Sequence, residues 1–286
     1  TDGVTMQLPS EAKDSMSPPL LPLLAEPEDV ARLLKHPRLR IVDVGRREIY
    51  VRTHLPGALH IDYDRLVMAR PPATGLLPDA GALTDILGGL GLQADDHVVA
   101  YDDEANGRAA RLLWTLDAAG HSHFSLLNGG LEQWQAEDRP VESGERKLES
   151  SPYRVALREQ VTADLDYVRS HLRDPEIVLL DTRSPDEYSG KLKRAARGGH
   201  IPGAVNYNWT DAMDHDRYLR IRPAEDIQRE LAALGVALSK EIVVYCQTHH
   251  RSAHTYIVLK HLGYPRVRGY AGSWSEWGNH PDTPIE

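Results

Sequence analysis

Ile242-Val243-Val244-Tyr245-Cys246-Gln247-Thr248-His249-His250-Arg251-Ser252 is the stretch on which the fold turns. Its opening apolar run has the length and β-branched character of a strand buried on both faces. A polar loop then leads into a helical pattern over residues 253–262. The same construction occurs earlier, where Val98-Val99-Ala100-Tyr101-Asp102 precedes a helical pattern over residues 108–118. Three further pairs lie outward from these. Ile41-Val42-Asp43-Val44-Gly45-Arg46 matches Val178-Leu179-Leu180-Asp181-Thr182-Arg183. His54-Leu55-Pro56-Gly57-Ala58 matches His200-Ile201-Pro202-Gly203-Ala204. Asn128-Gly129-Gly130-Leu131-Glu132-Gln133-Trp134 matches Ala271-Gly272-Ser273-Trp274-Ser275-Glu276-Trp277. All the pairs keep their order and similar separations, which chance does not preserve. Two homologous domains follow, and the long period argues against a solenoid of short repeats.

Within each half, apolar runs alternate with helical patterns, including one over residues 28–34 after the start signal Pro27. That alternation predicts an α/β fold, each domain a mainly parallel central sheet flanked by helices. The expected division is a flexible tail over 1–20, a first domain over 21–140, a charged, Ser-rich linker over 141–160 and a second domain over 161–286. Residues 153–157 of the linker are expected to pack as an extended strand.

The chain has 286 residues, 41% hydrophobic and 26% charged, enough to bury a core without disulfides or metals. No apolar run approaches the ~18 residues of a membrane span. The net charge of −9 disfavours general binding of nucleic-acid phosphates. The single cysteine excludes an intramolecular disulfide, so the fold does not depend on an oxidising compartment. The tail lacks the basic start and apolar centre of a secretory signal. A cytoplasmic monomer without nucleic-acid or membrane partners is the expectation.

Cys246 ends the central strand of the second copy, where the first copy carries Asp102. Ligand sites in open parallel sheets lie beyond the carboxyl ends of the strands. A short loop from strand to helix curls backbone N–H groups around one centre, and the helix adds its positive end. Lowering a thiol by about two pKa units from about 8.5 takes ~2.7 kcal/mol of preferential thiolate stabilisation. Such a loop, with His249, His250 and Arg251 as local cations, is able to supply it. The polar run after Cys246 predicts surroundings that are not an apolar core.

These residues identify the pattern: the two halves resemble the tandem rhodanese domains of thiosulfate and mercaptopyruvate sulfurtransferases. The markers are Asp181-Thr182-Arg183, His200-Ile201-Pro202-Gly203-Ala204, Tyr245-Cys246 with its loop, and Gly272-Ser273-Trp274-Ser275-Glu276-Trp277. The resemblance implies a catalytically inactive first domain and a second in which Cys246 takes sulfur from thiosulfate as a persulfide. That sulfur then passes to cyanide or a thiol, with no metal or organic cofactor. It also implies that the amides and side chains of Gln247, Thr248, His249, His250, Arg251 and Ser252, together with Arg183, bind the anionic donor. Thiosulfate-specific members commonly carry Arg and Lys after the cysteine, and mercaptopyruvate-type members Gly and a small polar residue. Gln247 and Thr248 match neither and resemble a bacterial variant of the tandem rhodaneses. In place of the missing Lys, Arg183, Arg251 or a histidinium is expected to balance the donor's charge.

The alternatives at this point are 3-mercaptopyruvate sulfurtransfer, a cysteine phosphatase on the same scaffold and a non-catalytic interaction module. The phosphatases place five residues between Cys and Arg; here there are four, a tighter cradle that suits sulfur. An interaction role falls on the first domain, whose Asp102, Asp103 and Glu104 are expected to repel an anion. Asp181 is read as a turn former accepting backbone N–H groups, and His200 as part of a turn with Pro202 and Gly203. His121 and His123 lack a third metal ligand at sensible spacing. Gly129-Gly130 is followed by no Lys-Ser/Thr, so it is not a phosphate loop. Trp134, Trp274 and Trp277 are expected in the core, with Trp274 close enough to the catalytic end to form a pocket wall.

Overall fold

The structure is a computed structural model and describes residues 17–286. Most of the expected flexible tail lies outside those residues. Its end is bound: Ser17 N–H donates to Asp95 Oδ1 at 3.0 Å and Leu20 N–H to His97 Nδ1 at 3.2 Å.

The first half contains β1 (Leu24–Ala25), α1 (Pro27–Arg32), β2 (Leu39–Asp43), α2 (Arg47–Arg52), β3 (Leu59–His60), β4 (Met68–Arg70), β5 (Ala73–Leu76), α3 (Ala80–Gly89), β6 (His97–Tyr101), α4 (Gly107–Ala118), β7 (Phe124–Leu127) and α5 (Gly130–Ala136). The second contains β8 (Thr162–Ala163), α6 (Leu165–Ser170), β9 (Ile177–Asp181), α7 (Pro185–Tyr188), β10 (Val205–Asn206), β11 (Met213–Asp214), β12 (Arg220–Ile221), α8 (Ala224–Ala233), β13 (Glu241–Tyr245), α9 (Arg251–His261), β14 (Val267–Tyr270) and α10 (Ser273–Trp277). The first sheet runs β3-β2-β6-β7-β1 and the second β10-β9-β13-β14-β8, every pair parallel. The two orders are the same, as a duplication requires.

Strand alternation sorts the core into three. Val98 and Ala100 of β6, with Ile242 and Val244 of β13, face a shared core in which α4 packs along α9. Val99 and Tyr101 face an outer cluster with Trp134, and Val243 and Tyr245 one with Trp274 and Trp277. Continuing the alternation, Asp102 and Cys246 fall on the shared side. The outward tyrosines explain the repeated His-x-Pro-Gly motif. Tyr101 Oη accepts from Leu55 N–H at 3.1 Å and Tyr245 Oη from Ile201 N–H at 3.2 Å.

The linker is not the expected strand. It is a strap: Glu142 makes an isolated antiparallel bridge with His54, and further on Ser151 N–H donates to Gly88 O and Ala156 N–H to Ala119 O. The Tyr153 ring is buried, and its hydroxyl meets His121 Nδ1 at 2.7 Å. No helix among the described residues is long and apolar enough to cross a membrane.

Candidate active site

Cys246 leaves β13 and is fully buried. Its surroundings are polar. His249, in the left-handed region at φ 62°, turns its N–H onto Sγ at 3.1 Å. His250, the residue before α9, caps no amide with its side chain, and the Ser252 amide in the first turn of that helix bonds the sulfur. Burial pushes the thiol up, but Arg251, the Ser252 hydroxyl and the amides of Ser252 and Thr248 outweigh it. The thiol therefore titrates below its ordinary value. Ser252 Oγ lies 2.7 Å from His249 Nδ1. Burial, Arg111 and His250 hold His249 well below its ordinary value, so it is neutral. The Ser252 hydroxyl hydrogen-bonds the Cys246 sulfur; with its proton directed there, Oγ accepts from a His249 Nδ1–H. The loop is sealed from behind: Cys246 N–H donates to Ser273 Oγ at 3.2 Å, Trp274 N–H to Cys246 O at 2.9 Å and Ser275 N–H to Gln247 O at 3.0 Å.

The remaining loop residues separate by role. Arg251 forms a bidentate pair with Glu187 at 2.7 and 3.0 Å, and Arg194 Nε lies 3.2 Å from the same carboxylate. Despite burial, Arg251 and Ser184 hold Glu187 down at about 2. Gln247 donates to Arg194 O at 3.0 Å. Thr248 Oγ1 lies 3.4 Å from His250 Nδ1. Two expectations are corrected here. The charge does not come from a histidinium: burial, Arg251 and Arg111 push His250 down to about 4. Nor does Arg183 face the site. It is buried on Asp181, donates at 2.7 Å to Gly199 O and stacks 4.4 Å from the Trp274 ring. Trp274 is likewise fully buried, not a pocket wall. Asp181 takes the Arg183 amide at 3.0 Å, and His200 stacks on Tyr188 at 3.7 Å.

The first domain reaches the same loop. Arg111 Nη1 donates to Thr248 O and His249 O at 3.4 and 3.3 Å, and the Trp114 ring stands edge-on to His249. The β4–β5 hairpin leans on it: Thr74 N–H donates to Ser275 Oγ at 3.3 Å, and a Cβ at Gly75 would overlap the Thr248 carbonyl. Sequence reading missed Arg111, Glu187, Arg194 and Ser273. Only Ser273 carried a signal, the repeated motif that holds it.

The rhodanese-like domain family matches residues 26–137 and 164–280. The chain belongs to the rhodanese family. It is 48% identical over 266 residues to the thiosulfate sulfurtransferase of Azotobacter vinelandii, covering 93% of this chain and 97% of that one. It is 46% identical to the thiosulfate sulfurtransferase of Pseudomonas aeruginosa over the same shares. Sulfur carrier protein TtuD of Thermus thermophilus is 35% identical, over 92% of this chain and 96% of that one. The crystal structure of a 3-mercaptopyruvate sulfotransferase from Escherichia coli shares the fold at TM-score 0.80 and 24% identity, over 88% of this chain and 99% of that one.

The first rhodanese domain shows what the cradle wants. Asp102 accepts the amides of Glu104 and Asn106 at 2.8 Å and of Arg108 and Ala109 at 2.9 Å. The carboxylate thus fills the anion nest and caps α4 from within. Asp103 pairs with Arg46 at 2.6 Å. The expectation of acids turned toward an incoming anion is therefore corrected, because two of the three are already bonded inside the fold. The β11–β12 hairpin covers this nest, with Ile221 N–H on Asn128 Oδ1 at 2.9 Å, just as β4–β5 covers the other.

Proposed function

We propose that the protein is a thiosulfate sulfurtransferase that works through a persulfide on Cys246. The carrying observation is the pair of nests: a fixed carboxylate fills one, and the other surrounds a thiol held below its ordinary value with amides at comparable places in its loop. The likeness to enzymes named thiosulfate sulfurtransferase over nearly the whole chain supports thiosulfate as donor. The Cys246 thiolate attacks the sulfane sulfur, a new S–S bond forms, and the old S–S bond breaks with its electron pair leaving on sulfite. Cys246 then carries a persulfide anion. Cyanide or a thiolate attacks the terminal sulfur, the Sγ–S bond breaks, and the thiolate returns. Charge balances in both steps without an external oxidant or reductant.

The cradle's task is constant through the cycle: it holds one negative charge on sulfur, first on Sγ and then one atom further out. Preorganised amides, the Ser252 hydroxyl and the Arg251–Glu187 pair do this without reorganising. Mass spectrometry after thiosulfate is expected to show a gain of one sulfur, about 32 Da, on the wild-type protein and none on Cys246→Ala. The gain should disappear on adding cyanide. A wild-type protein whose mass does not change with thiosulfate would sink the reading.

A further inference from the structure

The domain without a cysteine places an unsatisfied polar atom beside the site. Tyr63 opens the short turn Tyr63–Leu66, directly before the β4–β5 hairpin. Its ring meets that of His250 edge-on, centroids 6.2 Å apart. Its hydroxyl is shielded from solvent and has no hydrogen-bond partner among the described residues. The turn is firmly placed. Arg111 Nη2 donates to Leu66 O at 3.0 Å while Nη1 of the same guanidinium holds the Thr248 and His249 carbonyls. One side chain therefore fixes Tyr63 against the cysteine loop. A buried hydroxyl without a partner is a penalty that native proteins seldom carry without a use. Burial pushes the phenol above its ordinary value, and the Cys246 thiolate adds to this against Arg111. The hydroxyl keeps its proton and is a donor.

The sulfur donor has a matching need. With its sulfane sulfur in the amide cradle, its oxyanion end would extend outward from the loop. There Arg251 and Arg194 are engaged by Glu187, Arg108 by Glu104 at 3.4 Å and Arg111 by carbonyls, and His249 and His250 are neutral. We propose that the Tyr63 hydroxyl donates a hydrogen bond to the oxyanion group of the sulfur donor while its sulfane sulfur lies at Cys246. The first domain then supplies a substrate-binding residue to the second. This rests on the sulfurtransferase reading.

Tyr63→Phe keeps the ring against His250 and removes only the hydroxyl. The rate constant for persulfide formation from thiosulfate is expected to fall about tenfold, the order for losing a hydrogen bond to a charged group. Discharge of the loaded persulfide by cyanide is expected at the wild-type rate, and the urea midpoint should not fall. Equal loading by wild type and Tyr63→Phe overturns the inference alone. Slowing of both half-reactions also overturns it, because the loss would then follow from altered packing. A wild-type protein that takes up no sulfur overturns the sulfurtransferase reading and this inference with it.

Discussion

A fully buried thiol should resist ionisation, since burial disfavours the charged form. Cys246 does the opposite because charged and polar neighbours surround it. Among them Arg251 is the largest favourable influence, ahead of the hydroxyl and amides. Arg251→Met keeps the stem and removes the charge. Iodoacetamide alkylation followed against pH is expected to show the thiol's midpoint moving up, and slower modification at neutral pH. An unmoved midpoint would mean that the amides alone hold the thiolate. The loop itself is legible in the sequence, because strand, polar turn and helix are local patterns. Arg183 is not. Whether an Arg two residues after a strand acid folds back onto Asp181 or reaches outward depends on Trp274, nearly a hundred residues away. Glu187 is equally hidden, since Arg251 finds it from another element.

At the scale of elements, each helix after a central strand begins without a side-chain cap from the residue before it, Asn106 for α4 and His250 for α9. In both, the missing acceptor comes from the strand end, as carboxylate in one and sulfur in the other. Asp102→Asn would turn two N–H groups toward amides that now donate to that side chain. Two buried donors would lose their acceptor, at about 1–3 kcal/mol each. The urea midpoint of Asp102→Asn is expected to fall accordingly, while thiosulfate still adds sulfur to Cys246. An unchanged midpoint would show that the nest needs no anion. The equivalence of Asp102 and Cys246 is legible in the repeat itself, because aligned motifs carry it. The crossing of the hairpins is not. β4–β5 and β11–β12 are short, and each is defined by what it covers in the other domain, information that local pattern does not carry.

Over the whole molecule, the two domains share one core, so the helix faces of both are dry and their titratable groups are buried with them. Burial is the leading cause that pushes His97, His121, His250 and His254 down to about 4, and His249 well below its ordinary value. Unfolded, each titrates near 6.5. Between those values the unfolded chain takes up more protons, so the stability these groups contribute is complete above about pH 6.5 and is lost as pH falls toward 4. Buried aspartates oppose this. Burial raises Asp43 to about 7 and Asp102 to about 6, so in the same window each holds a proton more tightly folded than unfolded. Glu187 acts later, between its ordinary value near 4.5 and about 2. Burial also lowers His261 and raises Asp96 and Asp211, so six lowered histidines stand against four raised aspartates and leave a net uptake of protons on unfolding between pH 6.5 and 5. The urea midpoint is therefore expected to drop steeply between pH 6.5 and 5, well before the carboxylate pairs are lost. A midpoint that held or rose over that range would show that the histidines take up their protons in the folded state. Replacing His254, buried beside Trp209 with its Nδ1 unpartnered among the described residues, by Asn should reduce the slope by about one proton.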